Sequence, residues 1–247
     1  MHNELNEFSR SERLLGVDAM EILKNSSVAI FGIGGVGSYV AEVLARSGIG
    51  HITLIDSDTV GITNINRQLI ALHSTLGRKK VDVMKERIMD INPNADIEGF
   101  DCFYDKNTAD LFELSKYDYI VDAIDTVKSK ILLIERAIQE DKKIISSMGT
   151  GNKLDPMRLE IMDIYKTEAC PLARVMRKEL KSRGIKKLKV LSSKEVPVKV
   201  SVSEDLDSET DLKGGHIAPA SVSFVPSAAG IIIGGEVVKD IIKMKNL

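Results

Sequence analysis

Arg67, Lys80 and Asp125 stand far apart in the chain, but together they are the residue types that triphosphate chemistry needs. Attack of a carboxylate on an α-phosphate brings two anions together and expels pyrophosphate. A site for that step must neutralise growing negative charge, which takes Arg, Lys and a metal. Arg67 offers a planar fork for phosphate oxygens and Lys80 a mobile point charge. Asp125 can hold Mg²⁺, which takes one or two carboxylates plus phosphate oxygens. Asn64, Asn66 and Gln68 flank Arg67 as neutral donors able to orient phosphates or an acyl group.

A second constellation lies upstream. Gly32-Ile33-Gly34-Gly35-Val36-Gly37 follows the apolar run Val28–Phe31 and opens an amphipathic stretch. In that context Gly32, Gly34, Gly35 and Gly37 allow a tight turn and let backbone approach a phosphate, while the following helix N-terminus supplies unpaired N–H groups. Asp56 ends the next apolar run, where a carboxylate can accept from ribose hydroxyls. The glycine turn and Asp56 alone would equally suit NAD. A dehydrogenase would need a substrate acid or base, and the four histidines, His2, His51, His73 and His216, offer no clear one.

The elements that must position these residues follow from periodicity. Strands are predicted at Val28–Phe31, His51–Ile55, Ala95–Phe100, Tyr117–Ala123 and Lys142–Ser147, with helices at Val36–Arg46, Gly77–Ile91 and Lys128–Gln139. This alternation predicts an α/β, Rossmann-like, doubly wound and mainly parallel sheet, ending near Met148. In such a sheet the loops after strands two and four open at the same carboxyl edge, so Arg67, Lys80 and Asp125 can converge. Residues 1–150 are thus expected to form a nucleotide-binding core. Residues 151–247 read as a smaller α+β extension within one continuous unit: a strand at Arg158–Ile164, a basic helix at Pro171–Arg183, a strand at Lys194–Val202, a polar mobile loop at Ser203–Gly215, and a closing buried helix at Ser227–Lys243.

With 247 residues and 43% apolar content the chain can fill a sizeable core. A net charge of -2 makes it neither a polycation nor an acidic tail protein. Cys102 and Cys170 are too few for a disulfide framework or a four-cysteine zinc site. The acidic N-terminus does not read as a signal peptide, and Pro226 and Glu236 interrupt the apolar stretch Ser221–Val238 short of a clean membrane span. The expectation is a cytoplasmic protein with no membrane partner.

Taken as a set, Gly32–Gly37, Asp56-x-Asp58, Asn64-x-Asn66-Arg67-Gln68, Lys80 and Asp125 resemble the ubiquitin-activating-enzyme-like superfamily, which includes the molybdopterin- and thiamine-biosynthesis adenylyltransferases. The resemblance implies a homodimer that binds ATP and Mg²⁺ and adenylates a carboxylate. Asp56 and Asp58 would lie at the nucleotide, with Asp56 on the ribose; Arg67 and Lys80 would bind phosphates, and Asp125 would carry the metal. Arg10 and Arg13 lie where relatives carry an arginine that reaches the partner subunit's ATP, and spacing favours Arg10.

The two C-x-x-C pairs of the sulfur-carrier adenylyltransferases are missing. Cys170 is the one candidate for a thioester cysteine, and it reads more readily as a partly buried helix-start residue. The stretches Tyr119–Lys130, Gly149–Asp163 and Pro171-Leu172-Ala173 leading into Arg177–Gly184 look instead like the tRNA threonylcarbamoyladenosine dehydratases. That family activates the threonyl carboxylate of threonylcarbamoyladenosine in tRNA; a tethered nucleophile then closes a ring and AMP leaves. Adenylation of a ubiquitin-like sulfur carrier is the alternative, and a sulfur-transfer protein is a candidate partner.

The segment 174–189 holds eight Lys/Arg and one acid, Glu179. Composition alone describes a solvated basic helix. With the resemblance added, Arg174, Arg177, Lys178, Lys181, Arg183, Lys186, Lys187 and Lys189 are expected to contact tRNA phosphates.

Overall fold

The computed structural model describes residues 5–200, 212–213, 216–217 and 219–245. Helices α1 (Ser9–Leu15) and α2 (Val17–Lys24) precede β1 (Ser27–Phe31). The chain continues through α3 (Gly37–Arg46), β2 (His51–Ile55), α4 (Lys80–Ile91), β3 (Asp96–Phe100) and β4 (Tyr119–Asp122). Next come α5 (Val127–Gln139), β5 (Lys143–Ser147), β6 (Leu159–Asp163), α6 (Pro171–Ser182), β7 (Lys189–Ser193) and α7 (Phe224–Lys245).

One seven-stranded sheet runs in the order β3-β2-β1-β4-β5-β7-β6. All neighbours are parallel except β6, which pairs antiparallel with β7. Successive side chains of a strand face opposite ways, and β1 divides accordingly. Val28 and Ile30 face a core built with α3, α4 and α7, while Ala29 and Phe31 face one built with α5 and α6. Helices therefore cover both faces. The strand order reverses between β1 and β4, which is where a doubly wound sheet opens a crevice at its carboxyl edge.

The sheet does not end near Met148: β7 adds to β5 in parallel, and β6 closes the edge. The expected strand over Lys194–Val202 lies earlier in the chain. Lys189–Ser193 pairs on both sides, whereas 194–200 has no ladder. The apolar residues Val190 and Leu191 are fully buried, but Val196, Val198 and Val200 are exposed. The expected loop Ser203–Gly215 falls outside the described residues, except that Leu212–Lys213 pairs with His216–Ile217.

The closing helix begins at Phe224, before Ser227, with Pro226 in its first turn, where a missing N–H costs nothing. It crosses α3 at backbone range. A Cβ on Gly230 would lie 2.4 Å from the Val36 carbonyl oxygen, and one on Gly234 2.7 Å from Val43 Cβ. Polar ties hold its far half. Tyr119 Oη donates to Asp240 at 2.6 Å, and Lys189 Nζ reaches Asp240 at 2.6 Å and Glu236 at 2.9 Å. No described helix is long and apolar enough to cross a membrane.

Candidate active site

The carboxyl edge at the β1–β4 reversal is built from three loops that meet on the glycine turn. Gly32 has φ +93°, a conformation that glycine adopts without strain. A Cβ there would lie 2.6 Å from the Ala123 carbonyl oxygen, in the loop after β4. At Gly37, the first residue of α3, a Cβ would lie 1.8 Å from the Gly32 carbonyl oxygen and 3.3 Å from Ala123 Cβ. The β4 exit loop, with Asp125 two residues on, is thus packed directly against the turn.

The loop after β2 closes the other side. Gly35 faces Arg67 Cγ at 3.5 Å, and Gly34 faces Gln68 Nε2 at 3.8 Å, both measured from the position of an added Cβ. Asp56 is nearly buried; one oxygen accepts from Ile33 N at 2.6 Å and the other from Asp58 N at 2.8 Å. Burial pushes its carboxyl up from the ordinary value, with Lys80 and the two N–H donors pulling the other way. Residues 58–60 pair back on 78–80 through Val60 N to Arg78 O (2.8 Å) and Lys80 N to Asp58 O (3.1 Å). That turn delivers Lys80, 4% exposed, to Asp58 at 2.7 Å and Asp56 at 3.9 Å. Lys80 therefore begins α4 as a buried cation over a pair of acids, and the helix starts there rather than at Gly77.

Arg67 is half-buried and donates to Thr63 O at 2.8 Å and to Asn66 Oδ1 at 2.9 Å; desolvation lowers its pKa from the usual value. Asn64 caps its own turn by accepting from Gly61 N at 3.0 Å. Gln68 is 7% exposed, and its Oε1 is buried with no hydrogen-bond donor among the described residues.

The C-terminal third of the chain also enters the site. Asn66 Nδ2 donates to Ser221 O at 2.9 Å, and Pro226 Cβ sits 3.3 Å from the Cβ position of Gly35. Asn152 N donates to Ala220 O at 2.7 Å, which ties the β5 exit loop to the same segment. Sequence reading missed this wall, because nothing local in Pro219–Pro226 carries a nucleotide motif. It also missed Asp122 and Lys130. Both are fully buried and 2.9 Å apart, Asp122 at the end of β4 and Lys130 in the first turn of α5. The only local signal was a lysine among the apolar residues of α5, which reads as a surface position.

Asp125 is exposed, and Thr126 Oγ1 donates to it at 3.2 Å. Among the described residues no cluster of three or more His, Cys, Asp or Glu could cage a metal. A single carboxylate at this edge fits Mg²⁺ carried by phosphates, not an all-protein site. Cys170 is 1% exposed, packed beside Gly149 at the start of α6, and burial followed by Asp101 and Asp105 pushes Cys102 up.

Arg10 is not brought to this edge. Its helix packs by Phe8 and α2 by Met20 against Gly48, just ahead of β2. That is the amino edge of the sheet, roughly 17 Å of strand from the glycine turn. Arg10 and Arg13 are both exposed there.

The basic residues form a stripe. Helix α6 starts beside Gly149 at the carboxyl edge and runs back about 18 Å along the sheet. Arg174, Lys178, Lys181, Lys186 and Lys187 are exposed, with no ion pair among the described residues. Three neighbours are engaged otherwise. Arg177 donates to Thr167 O at 2.7 Å, Arg183 pairs with Glu179 and Glu135, and Lys189 is clamped to α7. Lys186 and Lys187 line a cavity with Glu135, Ile138 and Gln139 at the amino edge, away from the glycine turn.

A sequence model of the ThiF family matches residues 8–246. The chain belongs to that family. It is 47% identical over 245 residues, 97% of this chain and 96% of the relative, to a tRNA threonylcarbamoyladenosine dehydratase of Bacillus subtilis. Two solved structures of the Escherichia coli tRNA N6-threonylcarbamoyladenosine dehydratase superpose on it over 97% of this chain and 95% of theirs. One is a complex with AMP (TM-score 0.87, 32% identity) and the other with ATP (TM-score 0.86, 31% identity). The ThiF-family chain thus shares both the seven-stranded sheet and the β6–β7 extension with nucleotide-binding relatives.

Proposed function

We propose that this chain is an ATP-dependent tRNA threonylcarbamoyladenosine dehydratase. The observation that carries the reading is the closure of the β2 and β4 exit loops on one glycine turn, which gathers Arg67, Lys80 and Asp125 at a single edge. The similarity to enzymes of that name over nearly the whole chain supports it.

The reaction follows from the residues. ATP lies along the crevice, its ribose against Asp56 and its phosphates over the N–H groups of the glycine turn and the first turn of α3. Gly32, Gly34, Gly35 and Gly37 form the cradle, with Asp58, Asn64, Asn66 and Gln68 shaping its β2 side. The threonyl carboxylate attacks the α-phosphorus, the bond to the β-phosphate oxygen breaks, and pyrophosphate leaves. Arg67 and Lys80 offset the charge that accumulates. Mg²⁺ on Asp125 would supply further charge neutralisation at the phosphates. The tethered nucleophile of the same side chain then attacks the acyl carbon, closing the ring and releasing AMP. No enzyme nucleophile is required, in keeping with the buried Cys170. The tRNA backbone follows the exposed stripe of Arg174, Lys178, Lys181, Lys186 and Lys187, with Arg177 and Arg183 holding its frame.

A homodimer is part of the proposal. Arg10 is exposed at the amino edge of its own sheet, so it can serve only a neighbouring subunit's nucleotide. A sulfur-transfer protein is a candidate docking partner, although Cys170 is buried.

Incubation with threonylcarbamoyladenosine-containing tRNA, ATP and Mg²⁺ should yield a nucleoside lighter by one water, and Asp125→Ala should abolish the change. A folded, ATP-binding protein that leaves the nucleoside mass unchanged overturns the reading. Pyrophosphate exchange that depends on a ubiquitin-like carrier instead of tRNA would establish the adenylyltransferase alternative.

A further inference from the structure

The buried pair Asp122–Lys130 occupies a junction that the adenylation chemistry does not itself use. The Lys130 ammonium, with no exposure, contacts three oxygens from three segments. It lies 2.9 Å from Asp122 Oδ2 on β4, donates to Ile124 O at 3.1 Å in the β4 exit loop, and donates to Ser147 O at 2.9 Å at the end of β5. Asp122 completes the knot. It accepts from Ser146 Oγ at 2.5 Å and from Ile124 N at 3.2 Å. Both backbone polar groups of Ile124 are therefore held by this one pair, and Ile124 precedes Asp125. On its other side Ala123 is wedged against Gly32 and Gly37.

We infer that Lys130 is a positioning residue, which fixes Asp125 relative to the glycine turn and to the β5 exit loop, by clamping the residue before Asp125 from beneath. The inference rests on the adenylation reading for the role of Asp125, but the clamp itself stands on the contacts. Its geometry explains why a charge is buried here. An apolar side chain could fill the volume, but it could not satisfy the Ile124 and Ser147 carbonyls and the Asp122 carboxylate together. Misplacement of a reacting or metal-bearing group by about 1 Å is enough to lower turnover about a hundredfold.

The test separates holding the fold from placing the carboxylate. Full-length protein carrying Asp122→Asn and Lys130→Met together removes the charges as a pair, so no lone buried ion remains. Melting temperature, Mg²⁺-dependent ATP binding by calorimetry and dehydration of modified tRNA are then measured on it and on the unaltered protein. The expected result is a folded double variant that binds ATP in EDTA as the unaltered protein does, gains at least threefold less affinity on adding Mg²⁺, and turns over about a hundredfold more slowly. A double variant with Mg²⁺ response and turnover within twofold of the unaltered protein overturns the inference while leaving the adenylation reading intact. An unaltered protein with no Mg²⁺-dependent ATP binding overturns both. Should the double variant not fold, Lys130→Arg replaces it. The same weakened Mg²⁺ response in a stable protein supports the clamp, and an unchanged response sinks it.

Discussion

Along the carboxyl edge of the sheet, Lys80 and Lys130 are buried against acids, at 2.7 Å from Asp58 and 2.9 Å from Asp122. Along α6 and the turn after it, Arg174, Lys178, Lys181, Lys186 and Lys187 stand in water with no ion pair among the described residues. The two regions use the same charge in opposite ways. At the edge each cation has a fixed address, and its contacts define the geometry of a small site. On the stripe no single cation is placed by the protein, and what acts is their sum. A buried charge suits a transition state whose atoms must be met within fractions of an ångström. A solvated row suits a polyanion whose phosphates repeat and whose binding releases counterions.

The comparison breaks most readily at Lys130. Replacing it alone with Met leaves Asp122 charged and unpaired in the interior, and unfolding free energy should fall by about 3–5 kcal/mol. Urea titration checks this; a loss below 1 kcal/mol would place Lys130 with the surface lysines.

A smaller effect is expected where α7 is pinned. Glu236 is held below the usual carboxylate range by the Lys239 hydrogen bond, with burial opposing and Lys189 reinforcing it. A depressed carboxylate contributes stability above its unfolded pKa of about 4.3 and loses it as pH falls through the lower folded value. The melting temperature of Glu236→Gln should therefore lie below that of the unaltered protein by a constant margin above about pH 5. The margin should close as the pH drops below about 4. A margin that persists at pH 3 would mean that Glu236 acts through packing.

On the stripe, Lys178→Ala, Lys181→Ala, Lys186→Ala and Lys187→Ala should each change stability by less than about 0.5 kcal/mol. Each should weaken tRNA binding and lower the salt slope by about 1 where it meets a phosphate, with ATP affinity unchanged. A single lysine that accounted for most of the tRNA affinity would show that the stripe has a fixed address after all.

Much of the sheet was legible because it rests on local pattern. Apolar runs separated by amphipathic stretches gave β1 to β5 and the helices between them to within three residues at each end. The glycine turn was legible too, because Gly32 and Gly37 are dictated by backbone contacts that no other residue tolerates. The edge beyond β5 was not. Residues 189–193 and 194–200 carry the same β-branched pattern, and only the vacancy beside β5 and the return of β6 decide which of them pairs. Lys130 and Lys189 were illegible for a related reason. A lysine in a helix or before a strand reads as solvated until the fold brings acids from 8 and 51 positions away to meet it.

What the sequence determined by itself was the list of chemical groups and the strand ends that carry them, since the alternation of strands and helices and the glycine spacing are local patterns. The tertiary structure decided which charges are buried and paired and which face water. It also decided that Ser221 and Pro226, from the far end of the chain, wall a site the sequence assigned to the first 150 residues. The physical reason is that burial of a charge depends on partners distant in sequence, and no periodicity in a single chain encodes who those partners are.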